Sequence, residues 1–233
     1  MPGKGKEVAL RTDPVVVEPL SEHTATVIFL HGPGDTPEIL SGPVEHWRGN
    51  GQVDHVKFVL PYAPVIPLTA KGGVSMPAWF DIVSLPPAAD EDVAGIFASR
   101  DYIQSLITDE ISAGTPAERI LLAGFSQGGA VAVLAGLTYP KSLAGIALLS
   151  GWLPLIDSFR DYMPEENANK ETPIFLGHGM EDRTVTLEMA KKSRDALTGM
   201  GFAISWDVYP GLGHATCEDE LDDVEAFIDE QLS

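Results

Sequence analysis

The apolar residues of this chain fall into short runs: Thr24 to Leu30, Lys57 to Leu60, Ile120 to Gly124, Ala144 to Ser150, Ile174 to Gly177 and Ala203 to Tyr209. Runs of this length read as core strands, and helical patterns separate them. The clearest helix covers Asp92 to Ile111, where Val93, Ile96, Phe97, Ile103, Leu106, Ile107 and Ile111 share one face. Another covers about Leu187 to Leu197 and stops before Gly199 and Gly201, as helices commonly do. Strands buried on both faces and separated by helices imply an α/β fold, a mostly parallel central sheet with helices on both faces. No repeat or linker divides the chain, so residues 1–233 are expected to form a single domain, with residues 1–13 as a flexible N-terminal segment.

Bulk properties narrow the function classes. With 44% hydrophobic and 21% charged residues, the chain has a globular composition. No apolar run approaches the roughly 20 residues of a membrane-spanning helix, and Met1 to Lys6 lacks the apolar stretch of a signal peptide. A cytoplasmic protein without stable membrane insertion is expected. A lone cysteine, Cys217, excludes an internal disulfide framework and reads as a small residue at a helix start. Fifteen basic against 34 acidic residues give a formal net charge of -19, which repels phosphate backbones, so no nucleic acid is expected as a partner. The acids crowd the C-terminus from Glu218 to Glu230, where Leu221, Val224, Phe227, Ile228 and Leu232 form a helical stripe. The acids are expected on the solvated face of that helix, without a metal.

One run ends unusually. Ile120-Leu121-Leu122-Ala123-Gly124-Phe125 is strand-like and stops at Ser126, and Gln127-Gly128-Gly129-Ala130 continues in small, helical residues. This is the Gly-x-Ser-x-Gly pattern of a nucleophile elbow, in which small flanking residues let a sharp strand-to-helix turn lift a serine hydroxyl above the sheet edge. A serine is a poor nucleophile unless a base takes its proton and a buried acceptor orients that base. Both partners are expected downstream, after the C-terminal ends of later strands. The strand ending at Gly177 is followed by His178-Gly179-Met180-Glu181-Asp182, and the strand ending at Tyr209 by Pro210-Gly211-Leu212-Gly213-His214. His214 is the expected base. Glu181 and Asp182 compete for the acid. His23, His46 and His55 read as surface residues, while His31 reads as structural, anchoring its turn through its ring nitrogens, and His178 occupies an analogous place.

A tetrahedral oxyanion needs two preorganised donors. The first is expected from the backbone N–H of Gln127, at a helix N-terminus, and the second from the loop His31-Gly32-Pro33-Gly34-Asp35. Two segments, Pro61 to Pro87 and Gly151 to Pro173, are too long for ordinary connections and are expected to carry function. Met76 and Trp152 point to a substrate groove. Trp79 and Phe80 read either as groove residues or as packing beneath the excursion.

Together these residues resemble the acyl-protein thioesterase family, also described as the lysophospholipase or carboxylesterase type, within the α/β hydrolases. The motifs are Phe29-Leu30-His31-Gly32-x-Gly34-Asp35-Thr36, Pro61-x-Ala63-Pro64, Met76-Pro77-x-Trp79-Phe80-Asp81, Gly124 to Ala130, Ser150-Gly151-Trp152-Leu153-Pro154, His178-Gly179-x-x-Asp182 and Gly213-His214. The resemblance implies the α/β-hydrolase fold, Ser126, Asp182 and His214 as a triad, and cleavage of fatty-acyl ester or thioester bonds. It implies an apolar groove to which Pro33, Met76, Trp79, Trp152 and Val185 are assigned, and no metal or organic cofactor. An S-acylated protein or a lysophospholipid would be the substrate, and the protein itself a monomer or weak homodimer. A short-chain carboxylesterase and a noncatalytic acyl-ligand-binding protein are the alternatives. Two departures stand out. Where the family usually has leucine donating the second oxyanion N–H, this chain has Pro33, which has none. Either Gly34 supplies the donor through a shifted loop or the hole is incomplete. After Asp182, Arg183-Thr184 replaces the usual apolar and proline residues at the groove rim.

Overall fold

The computed structural model describes residues 12–84 and 90–233; most of the expected flexible segment, 1–13, and part of the first long excursion lie outside the described residues. In chain order the elements are β1 (Val15–Val17), β2 (Ala25–Leu30), α1 (Ser41–Arg48), β3 (Val56–Leu60), β4 (Val65–Leu68), β5 (Val74–Pro77) and α2 (Val93–Ala113). There follow β6 (Ile120–Phe125), α3 (Gln127–Leu137), β7 (Gly145–Leu149), β8 (Ile174–Gly179), α4 (Leu187–Gly199), β9 (Ile204–Tyr209) and α5 (Glu218–Leu232). Seven strands make one sheet in the order β1-β3-β2-β6-β7-β8-β9. Every pairing in it is parallel except β1 with β3.

Alternate residues of the central strands feed two cores. Ile28, Leu30, Leu122, Ile146, Leu148 and Leu176 face α2, α3 and α4, whereas Val27, Phe29, Leu121, Ala147 and Phe175 face α1 and α5. The mostly parallel α/β architecture is therefore as expected, with both faces covered. β9 departs from the expectation: its residues alternate between half-buried and exposed up to a buried Tyr209, because it is an edge strand with only β8 beside it. The excursion after β3 also holds more order than expected. β4 and β5 form a separate antiparallel hairpin, turning through Gly72 and Gly73 at positive φ, where glycine carries no Cβ penalty. Pro67 and Pro77 fit there because a two-stranded ribbon leaves one edge of each strand unpaired.

The glycines around Ser126 do what the pattern requires. α3 is buried along its whole length and lies against the sheet so closely that a Cβ on Gly128 would stand 2.4 Å from the Leu30 carbonyl oxygen. A Cβ on Gly124 would stand 2.3 Å from the Gly128 carbonyl carbon. Backbone cannot yield there as a flexible side chain could. Gly128→Ala should therefore destabilise the fold by about 2–3 kcal/mol, measured as a lowered urea midpoint at unchanged slope.

Candidate active site

Ser126 stands between β6 and α3 with φ 56° and ψ -121°, a conformation that non-glycine residues rarely adopt. Its N–H donates to the Leu149 carbonyl at 2.8 Å, tying the turn to β7. The strain is held by packing on every side: α3 is buried and Gly32 lies directly against the Ser126 side chain. Ser126 Oγ is 3.0 Å from His214 Nε2, and His214 Nδ1 is 2.6 Å from Asp182 Oδ2. The three residues singled out in the sequence thus meet in one hydrogen-bonded chain. Glu181 does not join it; it is exposed, and its backbone N–H donates to Leu212.

Asp182 is held as firmly as it holds. Its Oδ1 accepts the N–H groups of Thr184 at 2.8 Å and Val185 at 3.0 Å, leaving Oδ2 for the imidazole. His178 supports the same turn, donating from Nε2 to the Val185 carbonyl at 2.8 Å. Burial holds the His178 pKa below its ordinary value, against the opposing pull of the Val185 carbonyl and Asp182. His31 also behaves as expected: Nδ1 donates to the Gly32 carbonyl at 2.7 Å and Nε2 accepts from Ala63 N–H at 3.2 Å. That pairing needs the neutral ring, and burial likewise lowers its pKa. His23, His46 and His55 bond to Thr26, Asp222 and the Leu232 carbonyl respectively, away from Ser126.

A cavity of about 330 Å³ opens beside Ser126 and His214. Pro33, Met76, Trp152 and Val185 line it. Leu68 and Ala70 of the hairpin segment, together with Ile82 and Phe125, complete its apolar wall and were not singled out in the sequence. The hairpin was legible, however, because two short β-prone runs flank Gly72-Gly73. Trp79 does not line the cavity. It is buried in the core, donating from Nε1 to the His31 carbonyl at 2.8 Å, and its carbonyl accepts from Ser99 Oγ. Gln127 explains this placement: its buried side chain accepts Trp79 N–H at 2.9 Å and donates to the Phe80 carbonyl at 2.7 Å.

The sequence left two readings open for the oxyanion side. As the first residue of α3, Gln127 has no preceding helical turn to receive its N–H, which leaves that donor beside the serine. The Gly34 N–H is already donated, to the Pro77 carbonyl at 2.7 Å, so the shifted loop that would aim it at a substrate is not the conformation adopted. Trp152 separates the cavity from a second groove of about 820 Å³ that includes Glu91, Leu155 and Met189 but no member of the triad. Glu91 accepts Leu155 N–H at 2.7 Å, and burial raises its pKa.

The C-terminal acids are not all on a solvated face: Glu220 and Glu225 are buried. Glu225 accepts from Asn50, whereas among the described residues neither Glu220 oxygen has a partner, and a Cβ on Gly177 would stand 2.6 Å from Glu220 Oε1. Burial, with the nearby Asp223 carboxylate, pushes the Glu220 pKa up to about 8. Cys217 is the N-cap residue of α5, as read. Among the described residues, His46, Asp222 and Glu225 bring ligand-type atoms within 4.8 Å of one another, but none lines the Ser126 cavity.

The Phospholipase/Carboxylesterase family profile matches residues 11–232. Acyl-protein thioesterase 1 of Gibberella zeae is 47% identical over 95% of this chain and 97% of its own length. The protein of the same name from Neurospora crassa is 45% identical over 95% and 93%. Among solved structures, Zea mays acyl-protein thioesterase 2 superposes with a TM-score of 0.84 at 29% identity, covering 94% of this chain and 99% of that one. Arabidopsis thaliana SOBER1 superposes with a TM-score of 0.83 at 33% identity, covering 90% and 100%.

The Glu220 carboxyl gives stability a pH slope. Below its ordinary value of 4.5 both folded and unfolded states hold the proton, and nothing is lost. Between 4.5 and about 8 the unfolded chain releases it while the folded chain keeps it, so stability falls as pH rises and levels off above. The melting temperature of Glu220→Gln relative to the parent should therefore climb from pH 5 to pH 8 in calorimetric scans, while a difference constant with pH would contradict this.

Proposed function

Because the chain belongs to the phospholipase/carboxylesterase family, we propose that Ser126 is its nucleophile, His214 its general base and Asp182 the carboxylate that orients the imidazole. The chain is a serine hydrolase of acyl ester and thioester bonds. The observation that carries the residue roles is the unbroken Asp182–His214–Ser126 hydrogen-bond chain at the mouth of an apolar cavity.

Each step follows from that geometry. Asp182 accepts Nδ1–H, so Nε2 carries the lone pair that faces Ser126 Oγ. As Oγ bonds to the acyl carbon, its proton passes to Nε2, and the imidazolium gives it to the departing alcohol or thiol. Water then repeats the sequence against the acyl-enzyme, releasing the carboxylate and restoring Ser126. The Gln127 N–H faces the developing oxyanion, aided by the positive end of α3.

The acyl chain lies against Met76, Trp152 and Val185, which favours longer acyl groups over acetyl. The favoured carrier is a cysteine thiol of an S-acylated protein, in line with what the two fungal relatives are called. Among the described residues no helix is long and apolar enough to cross a membrane.

A fluorophosphonate probe should label the protein at Ser126, with labelling and turnover both lost in Ser126→Ala; folded protein that stays unlabelled would refute the assignment. Across an acetyl to palmitoyl thioester series, kcat/KM should rise with chain length. A fall would favour a short-chain carboxylesterase, and bound but unreacted ester at high enzyme concentration would indicate a noncatalytic acyl binder.

A further inference from the structure

We infer that Pro33 is a specificity-determining residue: by leaving the oxyanion with the backbone N–H of Gln127 alone, it biases the site toward thioesters over alkyl oxyesters. The inference rests on the serine-hydrolase reading above. Pro33 lines the cavity together with Gly32 and Ser126, beside the serine whose attack generates the oxyanion, and its ring nitrogen carries no hydrogen. The next residue cannot substitute without rearrangement. Gly34 N–H is bonded to the carbonyl of Pro77, the last residue of β5, at 2.7 Å. Freeing it would break that bond and disturb the hairpin end that places Met76 in the same cavity.

The loss of a donor weighs on a reaction in proportion to the charge on the carbonyl oxygen at its transition state. In a thioester, sulfur feeds little electron density into the carbonyl, so addition of Ser126 Oγ is reached early. The Oγ–C bond forms, the C–S bond breaks, and a thiol of pKa about 8.5 leaves with the proton His214 took from Ser126. An alkyl oxyester must instead collapse by expelling a far more basic alkoxide, with the oxygen carrying nearly a full charge. The missing hydrogen therefore slows oxyester acylation more. It also slows the second half-reaction for every substrate, because the acyl-enzyme is itself an oxyester of Ser126. Water gives its proton to His214, its oxygen bonds to the acyl carbon, and the bond to Oγ breaks as Ser126 is reprotonated. Thioester turnover is then limited by deacylation.

The test compares wild type with Pro33→Ala and Pro33→Leu, each of which restores an N–H, on thioester and alkyl oxyester substrates sharing one acyl chain. Wild type should release about one equivalent of thiol in a burst before its steady rate. In the variants kcat/KM should rise about 10- to 100-fold for the oxyester and only several-fold for the thioester. Affinity for an acyl trifluoromethyl ketone, whose adduct carries the oxyanion, should tighten in parallel, while affinity for the fatty-acid product stays unchanged. A folded variant with equal gains on both substrates, or with no gain in rate or ketone affinity, would overturn the inference. Wild-type enzyme that hydrolyses neither substrate and is not labelled by the fluorophosphonate probe would instead refute the hydrolase reading, and turnover of the thioester without a burst would overturn the inference. If both variants melt early, a semisynthetic chain with an ester in place of the Gln127 amide separates the cases: a single-donor hole should then lose nearly all acceleration, and a small loss would overturn the inference.

Discussion

The close approach of α3 to the sheet is the constraint on which the site depends. Gly124, Gly128 and Gly129 remove the side chains that would hold the helix away, and the helix then abuts the β2 backbone and Leu148. Only with the helix this near can the chain pass from β6 into α3 through the strained conformation of Ser126. The same proximity puts the buried Gln127 side chain within reach of Trp79 and Phe80, so the elbow and the groove segment are fastened by one residue. Catalytic geometry and core packing share these contacts, and neither could be altered alone.

The polar groups around the site divide into those with complete partners and those without. His31 and His178 are held by backbone carbonyls, and burial holds the pKa of each below its ordinary value. Asp182 has one oxygen occupied by two amides, so only the other remains to meet the His214 imidazole. Glu220, by contrast, lies against Gly177 of β8, the strand from which the Asp182 turn departs, with neither oxygen partnered among the described residues. A buried carboxyl of this kind stays neutral near pH 7 because ionisation would cost more than its surroundings return.

Much of this was legible in the linear chain. Apolar runs marked the strands because both faces of the central sheet are covered, and the order Ser126, Asp182, His214 was readable because each lies after the end of such a strand. His31 was read as a turn anchor, and the contacts with Gly32 and Ala63 agree. Trp79 was the misleading residue. Its motif neighbours Met76, which does reach the cavity, but its own indole N–H is met by the His31 carbonyl inside the core. The acids of α5 misled similarly: helical periodicity placed an apolar stripe correctly, yet the N-terminal turn tucks Glu220 beneath Gly177, where the absence of a side chain leaves room.

By itself the sequence determined the layered architecture, the order in which Ser126, Asp182 and His214 follow strand ends and the absence of an N–H at Pro33, since each follows from residue type and local order. The tertiary structure alone decided which hydrogens remain free. Gly34 could have been a donor until Pro77, brought beside it by the β4–β5 hairpin, accepted its N–H. Hydrogen bonding and burial are set by partners remote along the chain, and no local pattern encodes them.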